Sequence, residues 1–433
     1  MATIEIRNIG PIKNTGEFDL NKVNVFMGPQ SSGKSTIAKI ISFCTWVEKD
    51  VATSQSLKTY QDNTKHFKEH IERFHKMKEY FRSDSYLSYK SNVIEIKWEN
   101  DECVIKWVNR YDYKRSKIAY IPSERNMVIL PDVRKVELSN TNIRSFLFDW
   151  FDARGKYTKD NRLSILNLDV DYYFSESNIY EEDRIHGIKN DIEYDITLSN
   201  ASSGLQSITP LIVMVEYLTK WIYSEDKKSF DQEERQRKVN NYLIDEKIIK
   251  PYFKVDSLLS GERNEKIKEY NEKLKENNPE ARKCFVDYND QLTHLFNTQN
   301  SQFIIEEPEQ NLFPATQKDM IYYFLETCLN REDNRLTITT HSPYVLYALN
   351  NCMLGYLVKE KMLTDDDYKD LKSLQSSIDP KNVSVWQITD EGTINNIQGE
   401  DNLIEGNYFD ACMKDVMDDF YKMINYYGDE DED

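Results

Sequence analysis

Four stretches of this chain carry residue types and spacings suited to phosphate chemistry. Gly28-Pro29-Gln30-Ser31-Ser32-Gly33-Lys34-Ser35, followed by Thr36, has the form G-x-x-x-x-G-K-[ST]. Such a loop turns several backbone N–H groups toward one point, and a helix starting there adds the positive end of its dipole. Lys34 would reach the β- and γ-phosphates, and the Ser35 hydroxyl would ligate Mg²⁺. The second stretch, Phe303-Ile304-Ile305-Glu306-Glu307-Pro308-Glu309, ends an apolar run in carboxylates. Glu306 suits the magnesium shell, and Glu307 suits orienting or deprotonating water. The third, Thr340-His341-Ser342-Pro343, offers His341 as a hydrogen-bond partner for a γ-phosphate. The fourth, Ser202-Ser203-Gly204, precedes an apolar helix, and its serines read as N-caps of a second anion site. Phosphoryl transfer to water needs a cradle, a magnesium ion, a carboxylate and polar groups around the γ-phosphate. All four are present, and in order.

The surrounding residues must position them. Val23–Met27 reads as a buried strand, and Thr36–Ile41 opens an apolar helical pattern running to about Val47. Residues 3–27 form three strands, punctuated by Gly10-Pro11 and Asn14-Thr15-Gly16. Phe67, Ile71, Phe74, Met77 and Phe81 predict a helix over 57–81, with His66 and His70 on its surface. A hairpin is expected around Glu99-Asn100-Asp101, and a strand over Lys117–Ile121 leads into Pro122-Ser123-Glu124-Arg125-Asn126. Residues 130–190 give no clear pattern; Asp191–Leu198 alternates and delivers the chain to Ser199–Ser207. Further on come helices over Pro314–Leu329 and Tyr408–Tyr426, a strand over Leu336–Thr340 and a hairpin at Asp390-Glu391-Gly392. The expected fold class is α/β.

Composition sets bounds. At 433 residues, 39% hydrophobic and 30% charged, the chain has ample core and is globular. Its net charge of −18 disfavours wholesale coating of nucleic acid, although a local basic groove stays open. The six scattered cysteines read as reduced thiols of a cytoplasmic protein. No signal peptide precedes the first strand, and Ile208–Tyr223, interrupted by Glu216 and Lys220, reads as a buried helix rather than a membrane span.

The motifs resemble an ABC-type P-loop ATPase head, closer to the OLD-like and SMC-like branch than to a transporter subunit. Ile4-Glu5-Ile6-Arg7-Asn8-Ile9-Gly10-Pro11 resembles that branch's opening strand, and Ile305–Glu309 its Walker B and D-loop. His341 resembles its switch histidine. Ala201-Ser202-Ser203-Gly204-Leu205-Gln206 is similar to its signature in the form found in anti-phage systems such as PARIS and Septu. Departures are Glu306 for the usual aspartate, Ser203 and Leu205 in the signature, and no glutamine at the Q-loop position, where Ser123 or Arg125 could serve. The resemblance implies a mixed sheet with flanking helices, an antiparallel β lobe and helical insertions. It implies ATP and Mg²⁺ as cofactors and ATP hydrolysis as the reaction.

The implied organisation is an N-terminal part of the head over 1–223, with a helical insertion at about 48–90. A charged helical insertion follows over 224–300, then a C-terminal part over 301–427 and a disordered acidic tail over 428–433. Implied partners are a second copy through ATP-sandwiched heads, forming a dimer or higher oligomer, a separately encoded effector nuclease or toxin, and a phage protein as trigger. In such a pair Ser202, Ser203 and Gly204 complete the γ-phosphate pocket of the other subunit. The rivals are a DNA-repair ATPase of the SMC type, which wants a long coiled coil, and an OLD nuclease. The latter needs a Toprim domain after His341, where Asp365-Asp366-Asp367 reads only as a helix start.

Overall fold

The computed structural model describes residues 2–130, 133, 139–176, 181–224, 230–257, 261–362, 370–424 and 427. At its centre lies β3 (Val23–Met27), buried at every position as a strand covered on both faces should be, with its one polar side chain, Asn24, bonded to the Asn21 backbone. Its neighbours are both parallel: β13 (Arg335–Thr340) on one side and β14 (Val383–Ile388) on the other. Beyond β13 lie β12 (Asn300–Glu306) and β7 (Ser116–Ile121), also parallel, while β15 (Ile394–Asn396) closes the other edge antiparallel. The order is β15-β14-β3-β13-β12-β7. Because β3, β13 and β12 run parallel and adjacent, their C-terminal ends share one edge of the sheet. The phosphate loop, His341 and Glu306-Glu307 follow those ends, where open α/β sheets bind ligands.

Side chains of β3 alternate between two cores. Val23, Val25 and Met27 pack with Ile208, Ile212, Phe324, Leu346 and Leu349 from helices Ser203–Glu216, Pro314–Thr327 and Pro343–Met362. Phe26 faces the other way, toward the helix Lys34–Ser54. That helix is covered in turn by an antiparallel sheet of order β2-β1-β4-β5-β6. Its strands are β1 (Ala2–Ile9), β2 (Ile12–Leu20), β4 (Phe81–Lys90), β5 (Ile94–Glu99) and β6 (Glu102–Trp107). Ile4 and Ile6 share a core with Ile37, Ile40, Phe43 and Val47 of the helix. The β5–β6 turn holds Asn100 and Asp101 at φ of 52° and 60°, the primed turn that matches strand twist.

A smaller antiparallel sheet, order β11-β10-β9-β8, consists of β8 (Leu163–Ser164), β9 (Val170–Glu176), β10 (Glu181–Lys189) and β11 (Ile192–Thr197). It feeds the chain into Ser199–Ser207. Helices Phe230–Leu243, Glu262–Lys275 and Pro279–Phe296 follow, with Ile249, Tyr270, Ala281 and Cys284 forming a small core of their own. The architecture is α/β, with a mixed sheet, flanking helices and an antiparallel β lobe.

Some expectations need correction. The helix Lys34–Ser54 runs past Val47, and 57–81 is not one helix. Short helices Lys58–Asp62 and His66–Phe74 are followed by Lys76 and Glu79 at φ of 55° and 69°, which turn the chain into β4. The helical insertion therefore does not reach residue 90. Phe67 and Ile71 obey the helical spacing, but Phe81 opens a strand in which Ser85, Leu87 and Tyr89 are buried in alternation. Nor are His66 and His70 on the surface; both are half-buried, and the His70 ring stands edge-on to Trp46 at 4.5 Å. Burial, with Arg73 and His66 nearby, pushes the His70 pKa down to about 4. All six cysteines are free. Among the described residues no helix is long and apolar enough to cross a membrane. The final helix spans Tyr408–Ile424; Asp365-Asp366-Asp367 and 428–433 lie outside the described residues.

Candidate nucleotide-binding site

The helix after β3 begins without help from any side chain. Gly33, its N-cap, has φ of 111°, a conformation that favours glycine, and a Cβ there would meet Ile12 at 2.4 Å. No side chain caps the helix and no acid occupies its first turn, so its leading N–H groups are left for an anion. Gly28, Gly33, Lys34 and Thr36 are buried, Pro29, Ser32 and Ser35 half-buried, and Gln30 and Ser31 exposed at the rim. The Lys34 ammonium donates to the carbonyls of Gly28 at 2.9 Å and Pro29 at 2.6 Å. Burial pushes its pKa down to about 8, against the pull of Glu307 and Glu309.

This sets a pH dependence. The triphosphate needs a charged lysine, but the free protein loses that charge above about 8 rather than near 10.5. Above pH 8 each ATP bound must therefore draw one proton onto Lys34, and the ATP dissociation constant should rise by about tenfold per pH unit. Titration of a fluorescent ATP analogue between pH 7 and 9.5 checks this; a flat affinity would show that Lys34 does not face the phosphates.

The carboxylates stand at the end of β12. Glu306 is buried, and burial raises its pKa while the Ser35 hydroxyl lowers it. Glu306 Oε1 has no hydrogen-bond partner among the described residues. A buried, unpartnered carboxylate oxygen beside a serine hydroxyl is a hard oxygen donor pair, which fits Mg²⁺; that ion takes one or two protein oxygens and fills the rest with water and phosphate. Glu307 adopts φ of 42°, an uncommon conformation for a non-glycine residue, secured by its N–H to the Thr339 carbonyl at 2.9 Å. Its Oε1 lies 3.3 Å from His341 Nε2, and its Oε2 accepts from Gln310 Nε2 at 2.8 Å. His341 above all, then Gln310 and Lys34, hold its pKa down to about 2 against burial.

Two neighbours carry roles that sequence reasoning missed or misplaced. Glu309 Oε1 accepts the His341 backbone N–H at 2.6 Å, tying the D-loop to the end of β13. Arg125, one of two residues considered for sensing the γ-phosphate, is fully buried and spends its guanidinium on the protein itself. It donates to the carbonyls of Glu306 at 2.9 Å, Glu307 at 2.9 Å, Pro308 at 3.2 Å and Ser207 at 3.2 Å. It braces the turn Glu306–Pro308 from beneath, with its donors engaged by the protein's own carbonyls. Ser123 is half-buried and bonded to Glu124. Only the form of the motif, an arginine where the Q-loop expects a neutral amide, hinted at this.

No family model matches the chain, and no curated protein matches it. Among solved structures, it is similar to the SMC head domain from Thermotoga maritima, at 10% identity over 92% of this chain and 98% of that one, with a TM-score of 0.35. It is also similar to the recombination mediator protein RecF with bound ATPrS (10% identity, 91% and 97% covered, TM-score 0.30) and with ATP (11%, 91% and 96%, 0.28). The chemistry of the site follows from its own geometry.

The structure thus gathers Lys34, Ser35, Glu306, Glu307 and His341 at one edge of the sheet. Ser202, Ser203 and Gly204 belong to the start of a different helix, Ser203–Glu216. The Ser202 hydroxyl caps the helix Ser203–Glu216 through the Leu205 N–H at 3.5 Å, and Ser202 and Ser203 are exposed. Gly204 lies against the D-loop: a Cβ there would stand 3.1 Å from the Asn311 carbonyl oxygen.

Proposed function

We propose that the chain is an ABC-type ATPase head that pairs with a second copy around ATP, serving as sensor or scaffold of an anti-phage system that controls a separately encoded nuclease or toxin. The observation that carries the ATPase reading is the meeting, at one sheet edge, of an uncapped helix N-terminus with Lys34, the unpartnered Glu306 oxygen and the Glu307–His341 pair. The helix N–H groups and Lys34 bind the β- and γ-phosphates. Ser35 and Glu306 would hold Mg²⁺, which supplies neutralising charge to the phosphate oxygens. Glu307 orients the attacking water, and His341 donates to the γ-phosphate or steadies Glu307. The defence reading rests on the OLD-like motif Ile305–Glu309 and the signature form Ser202-Ser203-Gly204. Hydrolysis stimulated severalfold by DNA would favour the SMC-type repair reading instead.

Pairing is motivated by Ser202 and Ser203, an exposed anion-binding helix start with no phosphate of its own chain to meet. Phe313, 75% exposed just beyond the D-loop, is a natural anchor for a facing head. The test mixes two inactive proteins. Lys34→Ala removes the phosphate cradle of its own chain. Ser203→Asp leaves its chain folded, since an acid at a helix start is stabilising, but sets a carboxylate against the other chain's γ-phosphate. A mixed dimer keeps one intact composite site of two, and free exchange makes half the dimers of an equal mixture mixed, so the mixture should recover up to about one quarter of the parental rate. An inactive mixture, with exchange demonstrated by native mass, would overturn the composite site.

A further inference from the structure

The helix Tyr408–Ile424 stands off the rest of the molecule. None of its residues is buried, and every residue from Met413 to Ile424 is exposed. Yet its side chains are sorted. Met413, Val416, Met417, Phe420, Met423 and Ile424 recur at steps of three and four, on one side. Lys414, Asp415, Asp418, Asp419 and Lys422 occupy the other. Met413, Val416 and Met423 are 64%, 66% and 65% exposed. The root of the helix is fixed: Asp410 bonds the Tyr347 hydroxyl and accepts from the Asn407 backbone N–H at 3.0 Å. Tyr347 and Tyr344, each 46% exposed, continue the apolar surface onto the helix Pro343–Met362. A helix of this length is marginal on its own propensity. A regular apolar stripe with nothing over it marks an interface.

Charge decides among the occupants. Three aspartates outnumber two lysines on the polar side, and five consecutive acids, Asp429-Glu430-Asp431-Glu432-Asp433, follow in the sequence. An anionic lipid surface or a nucleic acid would be repelled. A second copy packed in parallel on the stripe would set two of the acidic segments Asp429–Asp433 side by side, in a chain already at −18. At roughly 25 Å, by the rise per residue, it is also short for a self-sufficient coiled coil. We propose that Tyr408–Ile424 docks into a different protein, in an apolar groove whose rim is lysine- and arginine-rich, most densely where the helix C-terminus lies. The proposal deepens the reading of a separately encoded effector and rests on it.

The test uses the full tagged chain, expressed from its native locus with the genes beside it. Val416→Asp with Phe420→Asp changes two exposed positions outside the nucleotide site. The wild-type chain should purify with a neighbour-encoded protein in a complex that weakens with rising salt. In the double variant, affinity for that protein should fall by about tenfold or more, with ATP affinity and the chain's own native mass unchanged. A complex that survives the double variant overturns the docking site but leaves the separate effector standing. A wild-type chain that carries no neighbour-encoded protein overturns both. Loss of the chain's own dimer in the variant overturns the proposal in favour of a second copy.

Discussion

Glu307→Gln should leave ATP bound and nearly stop its hydrolysis. Turnover is expected to fall by roughly 10²–10⁴-fold, the usual worth of a positioned base or water-orienting carboxylate. Glutamine has almost the same shape and fits the left-handed backbone at this position as well as glutamate does. Its carbonyl oxygen can still accept one of the two hydrogen bonds that Glu307 receives, from His341 and Gln310. What it lacks is the negative charge. With its pKa held near 2, Glu307 is fully ionised at neutral pH and a weak base, so its main work is to aim the water and to balance charge across the site. Lys34→Ala should behave differently, abolishing binding itself. Phosphate release and equilibrium ATP binding, measured on both variants, separate the two. A Glu307→Gln protein that hydrolyses ATP at the parental rate would remove Glu307 from the reaction; one that cannot bind ATP would move it into the phosphate cradle.

Arg125→Ala should unfold easily, with or without nucleotide. The guanidinium is wholly buried and holds the carbonyls of three consecutive residues, Glu306, Glu307 and Pro308, together with Ser207 at the start of the signature helix. Each carbonyl left unpaired in the core costs about 1–3 kcal/mol. A total of about 3–5 kcal/mol is expected, the range of the most damaging single substitutions. At about 1 °C per kcal/mol for a chain of 433 residues, that lowers the melting temperature by roughly 3–6 °C. Arg125→Lys should recover only part of this, because a point charge cannot span carbonyls placed for a planar fork. Differential scanning calorimetry decides. If Arg125 were instead a phosphate sensor, its alanine variant would melt normally, bind ATP weakly and fail only in turnover.

The contrast between these residues explains what the sequence discloses. The phosphate loop is legible because all its parts are adjacent: a strand, a glycine turn and a helix start within fourteen residues, 23 to 36. Glu307 and His341 are legible because each closes a short apolar strand, where parallel sheets expose their ends. Arg125 is not legible, because most of its partners lie 82 to 183 positions away and nearly all are backbone carbonyls, which leave no trace in side-chain types. Phe81 misleads for a different reason. Aromatic residues suit a helix face and a strand equally, and only the turn at Lys76 and Glu79 decides between them. The buried His75, whose ring stands 5.1 Å from that of Tyr120, is likewise invisible until the chain folds.

The place of β3 in its sheet governs how this protein can be made. Val23 is paired on one side with Leu336 and on the other with Val383, so the strand before the phosphate loop has no neighbour until most of the chain exists. At about 5–20 residues per second, synthesis would hold that strand waiting for roughly twenty seconds to a minute after it is made. During that interval its unpaired backbone edges and mostly apolar side chains are the kind of surface that chaperones cover and that aggregates when left bare. The nascent chain, although it carries the complete phosphate loop from its first tenth, has nothing with which to hold a nucleotide. A chain assembled in this order completes its nucleotide-site edge only once β12 and β13 have been made.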